Sequence, residues 1–217
     1  MRKVSFVKGE YYHIFNRGTD KREIFSDKYD VFRFLQSIEE FNRVETGNDI
    51  FLSNRLKKNK KSGRREPTNN KLVNIICYCL NSNHFHLILE EITDGGISEF
   101  MKRLGGYVLY YNEKYKRNGA LFRGRFKSVH IGTNEQLLYC GVYVNLNNKV
   151  HKKFDGTKKH FLDLIPNRSS WNEYIGKSKT NFCNKDIILG ESKNINSYKK
   201  DAEEILKEIK ELRYSDE

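Results

Sequence analysis

Proline is almost missing from this chain, with two in 217 residues. That scarcity argues against long extended linkers, which draw their stiffness from proline. Four cysteines (Cys77, Cys79, Cys140 and Cys183) are too few and too unevenly spaced for a disulfide framework. The opening run Met1-Arg2-Lys3-Val4-Ser5-Phe6-Val7-Lys8-Gly9-Glu10 lacks the apolar centre of a secretory signal. No apolar stretch approaches the ~20 residues that cross a bilayer. These absences predict a reduced, cytoplasmic protein with no membrane partner. Acidic residues are also in deficit: 28 Asp and Glu face 40 Lys and Arg, for a net charge of +12. Such an excess attracts polyanions, and nucleic acid is the commonest of these in a cell. A basic protein without that partner is the alternative.

What is present is enough for one well-cored domain and too little for two large ones, with aromatics at 13%. Residues 11–16 form a short aromatic and β-branched run closed by Arg17-Gly18, which reads as a strand and a turn. Val31, Phe34, Leu35, Ile38 and Phe41 predict an amphipathic helix over 27–42. The segment 44–71 is a basic insertion whose densest part holds Lys57, Lys58, Lys60 and Lys61. It reads as a solvated loop or as a phosphate-contacting arm. Residues 72–80 and 84–91 are strand-forming runs around Asn81-Ser82-Asn83, which predicts a β-hairpin with a three-residue loop. A helix follows over 97–116, then a strand through Phe126, Val129 and Ile131, then a helix capped by Asn134 and running to about Asn148.

The resulting order, β-α-β-β-α-β-α, predicts an α+β fold: an antiparallel, ferredoxin-like or RRM-like βαββαβ palm with helices packed on it and a further helix after the last strand. The body spans 1–150. A C-terminal extension, 151–217, holds Ser169-Ser170-Trp171 and Tyr174, which can pin a short segment to the body, and an amphipathic helix over 202–212.

His84-Phe85-His86 is the main chemical feature. On a strand, alternate side chains share a face, so the two imidazoles point together while Phe85 and Leu87 turn to the core. Paired imidazoles suit a divalent metal, although such a pair is also compatible with plain packing. Around Tyr143 the chain reads as a helix, with Leu138, Val142 and Leu146 as its buried stripe and Tyr139, Tyr143 and Asn147 as a polar one. A phenol and a carboxamide one turn apart can serve one site, or both can be core-edge packing groups.

Four blocks resemble the single-tyrosine HUH transposases, and among them the REP-associated tyrosine transposases. They are Tyr12-His13-Ile14-Phe15-Asn16-Arg17-Gly18, Tyr78-Cys79-Leu80-Asn81-Ser82-Asn83-His84-Phe85-His86-Leu87, Gly119-Ala120-Leu121-Phe122-Arg123-Gly124-Arg125-Phe126-Lys127-Ser128 and Tyr143-Val144-Asn145-Leu146-Asn147. They occur in the family's order and span about 4–150. The resemblance implies a metal held by His84 and His86, with Asn147 completing the shell, and Tyr143 as the catalytic nucleophile. The sequence departs from the family where Asn81-Ser82-Asn83 replaces Met-Pro-Asn and Asn147-Asn148 replaces Asn-Pro.

The implied activity is cleavage and rejoining of single-stranded DNA, at hairpin-forming sequences, through a 5′-phosphotyrosine. Magnesium or manganese is the implied cofactor; two imidazoles alone would suit zinc or nickel equally. Arg17, Arg123, Arg125 and Lys127, with Lys57, Lys58, Lys60 and Lys61 of the insertion, are the expected DNA contacts. Tyr107, Tyr110 and Tyr111 are candidates for base stacking or helix packing. The sequence is compatible with a monomer or a homodimer. Two rivals follow from the same residues: a non-catalytic nucleic-acid-binding module, and a zinc centre built from Cys77, Cys79, His84 and His86. A three-residue hairpin loop would pair Cys79 with Phe85 and Cys77 with Leu87, turning both sulfurs to the apolar face.

Overall fold

The computed structural model describes residues 5–44, 70–150, 160–178 and 181–214. Within them the elements run β1 (Tyr11–Arg17), α1 (Lys28–Phe41), β2 (Val73–Asn81), β3 (His84–Glu91), α2 (Gly96–Leu104), α3 (Tyr107–Lys114), β4 (Lys127–Ile131), α4 (Asn134–Asn145), α5 (Asn147–Val150), α6 (Trp171–Tyr174), α7 (Asp186–Leu189) and α8 (Ile195–Tyr214). The strands make one antiparallel sheet in the order β2-β3-β1-β4. This is the split βαβ arrangement expected from the sequence, with α4 following the last strand. Among the described residues no helix is long and apolar enough to cross a membrane.

The first face of the sheet is apolar because β1 and β3 alternate. Tyr12 and Ile14 of β1 and Phe85, Leu87 and Leu89 of β3 are all buried. Helices α1, α2 and α3 cover them, and Phe34 is the hub. Its ring lies 5.2 Å from Phe25, 5.1 Å from Phe85 and 5.0 Å from Tyr107. The second face is covered by α4 and the C-terminal residues over β2 and β3, so that β2 is buried on both sides.

Three boundaries differ from expectation, each for a local reason. The helix predicted over 97–116 is two, because Gly105-Gly106 tightens the chain. Gly106 N–H donates to Arg103 O at 2.9 Å and Val108 N–H to Gly105 O at 3.1 Å, both three residues back rather than four. Thr133 rather than Asn134 caps α4, its hydroxyl accepting from Gln136 N–H. The last helix begins at Ile195 instead of 202, and Tyr198 and Ala202 extend its buried stripe back through a polar stretch that carries little periodic signal.

The C-terminal residues also close one edge of the sheet. Leu80 N–H donates to Arg168 O at 2.8 Å, Ser170 N–H to Tyr78 O at 3.0 Å, and Asn184 N–H to Ile75 O at 2.8 Å. An unpaired strand edge invites association with other chains, and these bonds occupy it. Ser170 and Tyr174 are thus pinned to the body, as their sequence context suggested.

The start of α1 is fixed by Asp30, which is fully buried. Its carboxylate accepts from Ser26 N–H and Asp27 N–H in a capping box, and from Tyr110 OH, Tyr115 OH and Lys114 Nζ, the last at 2.7 Å. One buried anion therefore ties α1 to α3. Asp30→Ala removes the acceptor of two phenols and the buried one of the two carboxylates that pair with Lys114. The expected loss is about 3 kcal/mol in urea unfolding, against about 1 kcal/mol for Asp27→Ala, which removes cap bonds and the more exposed of the two ion pairs of Lys114. Equal losses for the two variants would contradict this assignment.

Candidate active site

The sheet register brings the sequence-predicted residues into rows on its second face. Residues directly opposite one another in an antiparallel pair share a face. Arg17 lies opposite His84, which lies opposite Asn81. Lys127 lies opposite Phe15, which lies opposite His86, which lies opposite Cys79. His84 and His86 therefore project together, with Arg17 and Lys127 exposed toward the β1 and β4 side of the same face.

This register corrects the hairpin reading. Asn81 belongs to β2 and pairs with His84, so the loop is the two residues Ser82 and Asn83. Cys79 accordingly pairs with His86, and Cys77 with Ile88 after a bulge between Ile75 and Cys77. Both cysteines sit on the histidine face, not the opposite one. They are nevertheless core groups. Both are fully buried, and burial raises the Cys79 thiol to about 11 and the Cys77 thiol well above its ordinary value. Among the described residues no three His, Cys, Asp or Glu side chains are grouped to hold a metal ion.

Polar contacts fix the tautomer of His84 and tie His86 to a second ring. Asn83 Oδ1, which can only accept, is 2.6 Å from His84 Nδ1, so Nδ1 carries the proton and Nε2 keeps its lone pair. That Nε2 accepts from Asn81 Nδ2 at 3.0 Å and stands 3.3 Å from Asn147 Oδ1. Asn81 Nδ2 also donates to Asn147 Oδ1 at 2.9 Å. His86 Nδ1 is 2.8 Å from His13 Nε2, one donating to the other. Burial lowers the His13 pKa to about 4, so that ring is neutral at neutral pH. No role was read for His13 from the sequence. The alternation of Tyr11, His13, Phe15 and Arg17 along β1 places it on the histidine face, but only the register shows that it meets His86.

Tyr143 reaches the same place from α4. Its half-buried ring meets His86 and His13 edge-on, with centroids 5.7 and 6.0 Å apart. Asn147 follows one turn later, but the helix does not run through to it. Leu146 leaves helical geometry (φ −109°, ψ 13°) and a short helix, α5, restarts at Asn147. The break turns Asn147 inward, so it is fully buried rather than part of a polar stripe, and among the described residues its Nδ2 has no hydrogen-bond partner. The buried stripe of α4 is Leu137, Gly141, Val142, Val144 and Asn145, with Leu138 only partly buried.

The expected DNA contacts do not all share one face. Arg17 and Lys127 share the histidine face. Arg123 is exposed beside Arg17, its N–H donating to Arg17 O at 2.8 Å. Arg125 turns to the other side, lining a cleft of about 770 Å³ with Asn16, Phe85, Met101 and Phe126. Lys57, Lys58, Lys60 and Lys61 lie outside the described residues. The three tyrosines considered for stacking are packing groups. Tyr107 and Tyr111 are buried and donate to Ile24 O and Glu23 O. Tyr110 bonds to Asp30, and the cations of Arg33 and Lys114 lie over its ring.

No family model matches the chain, and no curated protein matches it. Among solved structures, a REP-associated tyrosine transposase bound to a REP hairpin aligns with 84% of this chain and 96% of its own, at 12% identity and a TM-score of 0.47.

Proposed function

We propose that this chain is a metal-dependent transposase-like endonuclease and strand transferase for single-stranded DNA, with Tyr143 as nucleophile and His84, His86 and Asn147 as metal ligands. One observation carries the proposal. A phenol, two imidazoles and a buried carboxamide from separate parts of the sequence adjoin on one sheet face, with exposed Arg17 and Lys127 on the same face. The four sequence blocks named above support it independently, and the choice of hairpin-forming DNA rests on them.

The donor set can hold a divalent cation; two imidazoles suit zinc or nickel equally, so the choice of Mg²⁺ or Mn²⁺ rests on the family resemblance. His84 Nε2 and Asn147 Oδ1 are both lone-pair atoms and stand 3.3 Å apart. Neighbouring ligands of one octahedral ion with bonds of ~2.1 Å are separated by about 3.0 Å. When Nδ1 of His86 is the donor in its contact with His13, its Nε2 is left as a second imidazole ligand. When bound, the cation would offset phosphate charge and favour departure of the 3′-oxygen.

The chain's own groups do the rest. Arg17 and Lys127 hold the backbone through its phosphates. Tyr143 Oη forms the new bond to phosphorus, and the P–O3′ bond breaks. The phenol proton is passed on, so that the leaving strand ends in a 3′-hydroxyl. The product is a 5′-phosphotyrosine at Tyr143. It keeps the bond energy, so attack by a 3′-hydroxyl regenerates the phenol and joins the strands without ATP. His13 acts as a positioning residue, orienting His86 through its ring nitrogen.

Three outcomes test this. Incubated with a labelled single-stranded DNA hairpin and Mg²⁺, the wild-type chain should form a covalent adduct that survives a denaturing gel. Tyr143→Phe should bind the same DNA but form none; an undiminished adduct in that variant would end the assignment, and an activity unchanged by it would favour a non-catalytic module. Chelation should abolish cleavage, and Mg²⁺ or Mn²⁺ should restore it; cleavage that persists in chelator contradicts the metal role. Arg17→Ala and Lys127→Ala should each reduce the salt slope of single-strand binding by about 0.7. Unchanged slopes would place the DNA elsewhere.

A further inference from the structure

We propose that Asn81 is an additional ligand of the cation through Oδ1, a reading that rests on the metal site proposed above. Asn81 closes β2 opposite His84. Its Nδ2 is 3.0 Å from His84 Nε2 and 2.9 Å from Asn147 Oδ1, and those two atoms are 3.3 Å apart. The three atoms form a nearly equilateral triangle. Its edges match those of one face of an octahedral shell, about 3.0 Å for bonds of ~2.1 Å. Two corners are lone-pair atoms. The third, an amide nitrogen, is a donor, and its two hydrogens satisfy the other two corners as a cation would.

A carboxamide is nearly symmetric in outline. A half-turn about the bond to its Cγ replaces Nδ2 by Oδ1 at the same corner with no movement of the strand. His84 Nε2, Asn147 Oδ1 and Asn81 Oδ1 would then face one ion, leaving the other octahedral positions for His86, water and phosphate oxygen. Two carboxamide oxygens make the shell richer in oxygen than two imidazoles and Asn147 alone. Oxygen-rich shells suit magnesium and manganese, whereas imidazoles also suit zinc. Asn81 thus carries two roles: hydrogen-bond stand-in before metal entry, and selectivity for hard cations after it. Position 81 is also where this sequence departs from the Met-Pro-Asn of the transposases it resembles.

Mn²⁺ binding to the full chain tests this without DNA, by calorimetry and by loss of the free-ion electron paramagnetic resonance signal. Wild type should take up one Mn²⁺. Asn81→Leu, of similar size but with no oxygen, should weaken Mn²⁺ binding roughly tenfold or more, and Zn²⁺ binding less. Asn81→Asp should tighten Mn²⁺ binding, and this variant decides the matter if the leucine variant does not fold. Mn²⁺ affinity unchanged or increased in Asn81→Leu, but lost in His84→Ala, overturns the role of Asn81 and leaves the metal site standing. So does an aspartate variant that fails to tighten binding. A wild-type chain that takes up no Mn²⁺ overturns both.

Discussion

A carboxamide oxygen from a late helical turn stands 3.3 Å from an imidazole nitrogen on a mid-chain strand, and the proposed chemistry depends on that approach. Sixty-three positions separate Asn147 from His84, so nothing local brings them together. Strand alternation aims both histidines at one face. The break at Leu146 then swings Asn147 under them while Tyr143, still in α4, keeps its ring against His86. A straight helix through 147 would present both residues on one polar stripe. The bend leaves Asn147, the proposed ligand, buried and Tyr143, the proposed nucleophile, half-exposed.

Such an approach needs a firm seat for α4, and the C-terminal residues supply it. Ser170 Oγ accepts from Tyr78 N–H at 2.8 Å and donates to Asn145 Oδ1 at 2.6 Å, so one hydroxyl links β2 to the last turn of α4. Tyr198 of α8 lies 3.4 Å from Asn145 Nδ2, which donates to its hydroxyl. Tyr174 OH donates to Ile76 O from the same side. All of these groups are buried. In this environment an unmade polar contact costs more than a made one gains, which favours a single geometry. The C-terminal residues are therefore part of what positions α4 and Tyr143, and they also cover the β2 edge.

Much of this was legible in the sequence because it rests on periodicity. The apolar spacing from Val31 to Ile38 marks α1, and the alternation around Phe85 marks β3 and the shared direction of His84 and His86. Parity was not legible where it depended on one residue. Asn81 has turn chemistry by composition but extends β2, and that single position moves Cys77 and Cys79 to the other face. His13 and Asn81 escaped notice as site residues because each acts through cross-strand register, which a linear pattern does not encode. The break within 97–116 was hidden because Gly105-Gly106 interrupts the hydrogen bonding but not the apolar spacing. Arg125 shares a motif with Arg123 yet turns to the opposite side, since adjacent residues in an irregular loop carry no fixed facing.

The site is most directly examined by diffraction from crystals grown with Mn²⁺, using the anomalous signal of the ion. The account predicts one strong peak within ligand distance of His84 Nε2, His86 Nε2 and Asn147 Oδ1, beside the Tyr143 hydroxyl. A peak elsewhere in the fold, or none at saturating Mn²⁺, would contradict it.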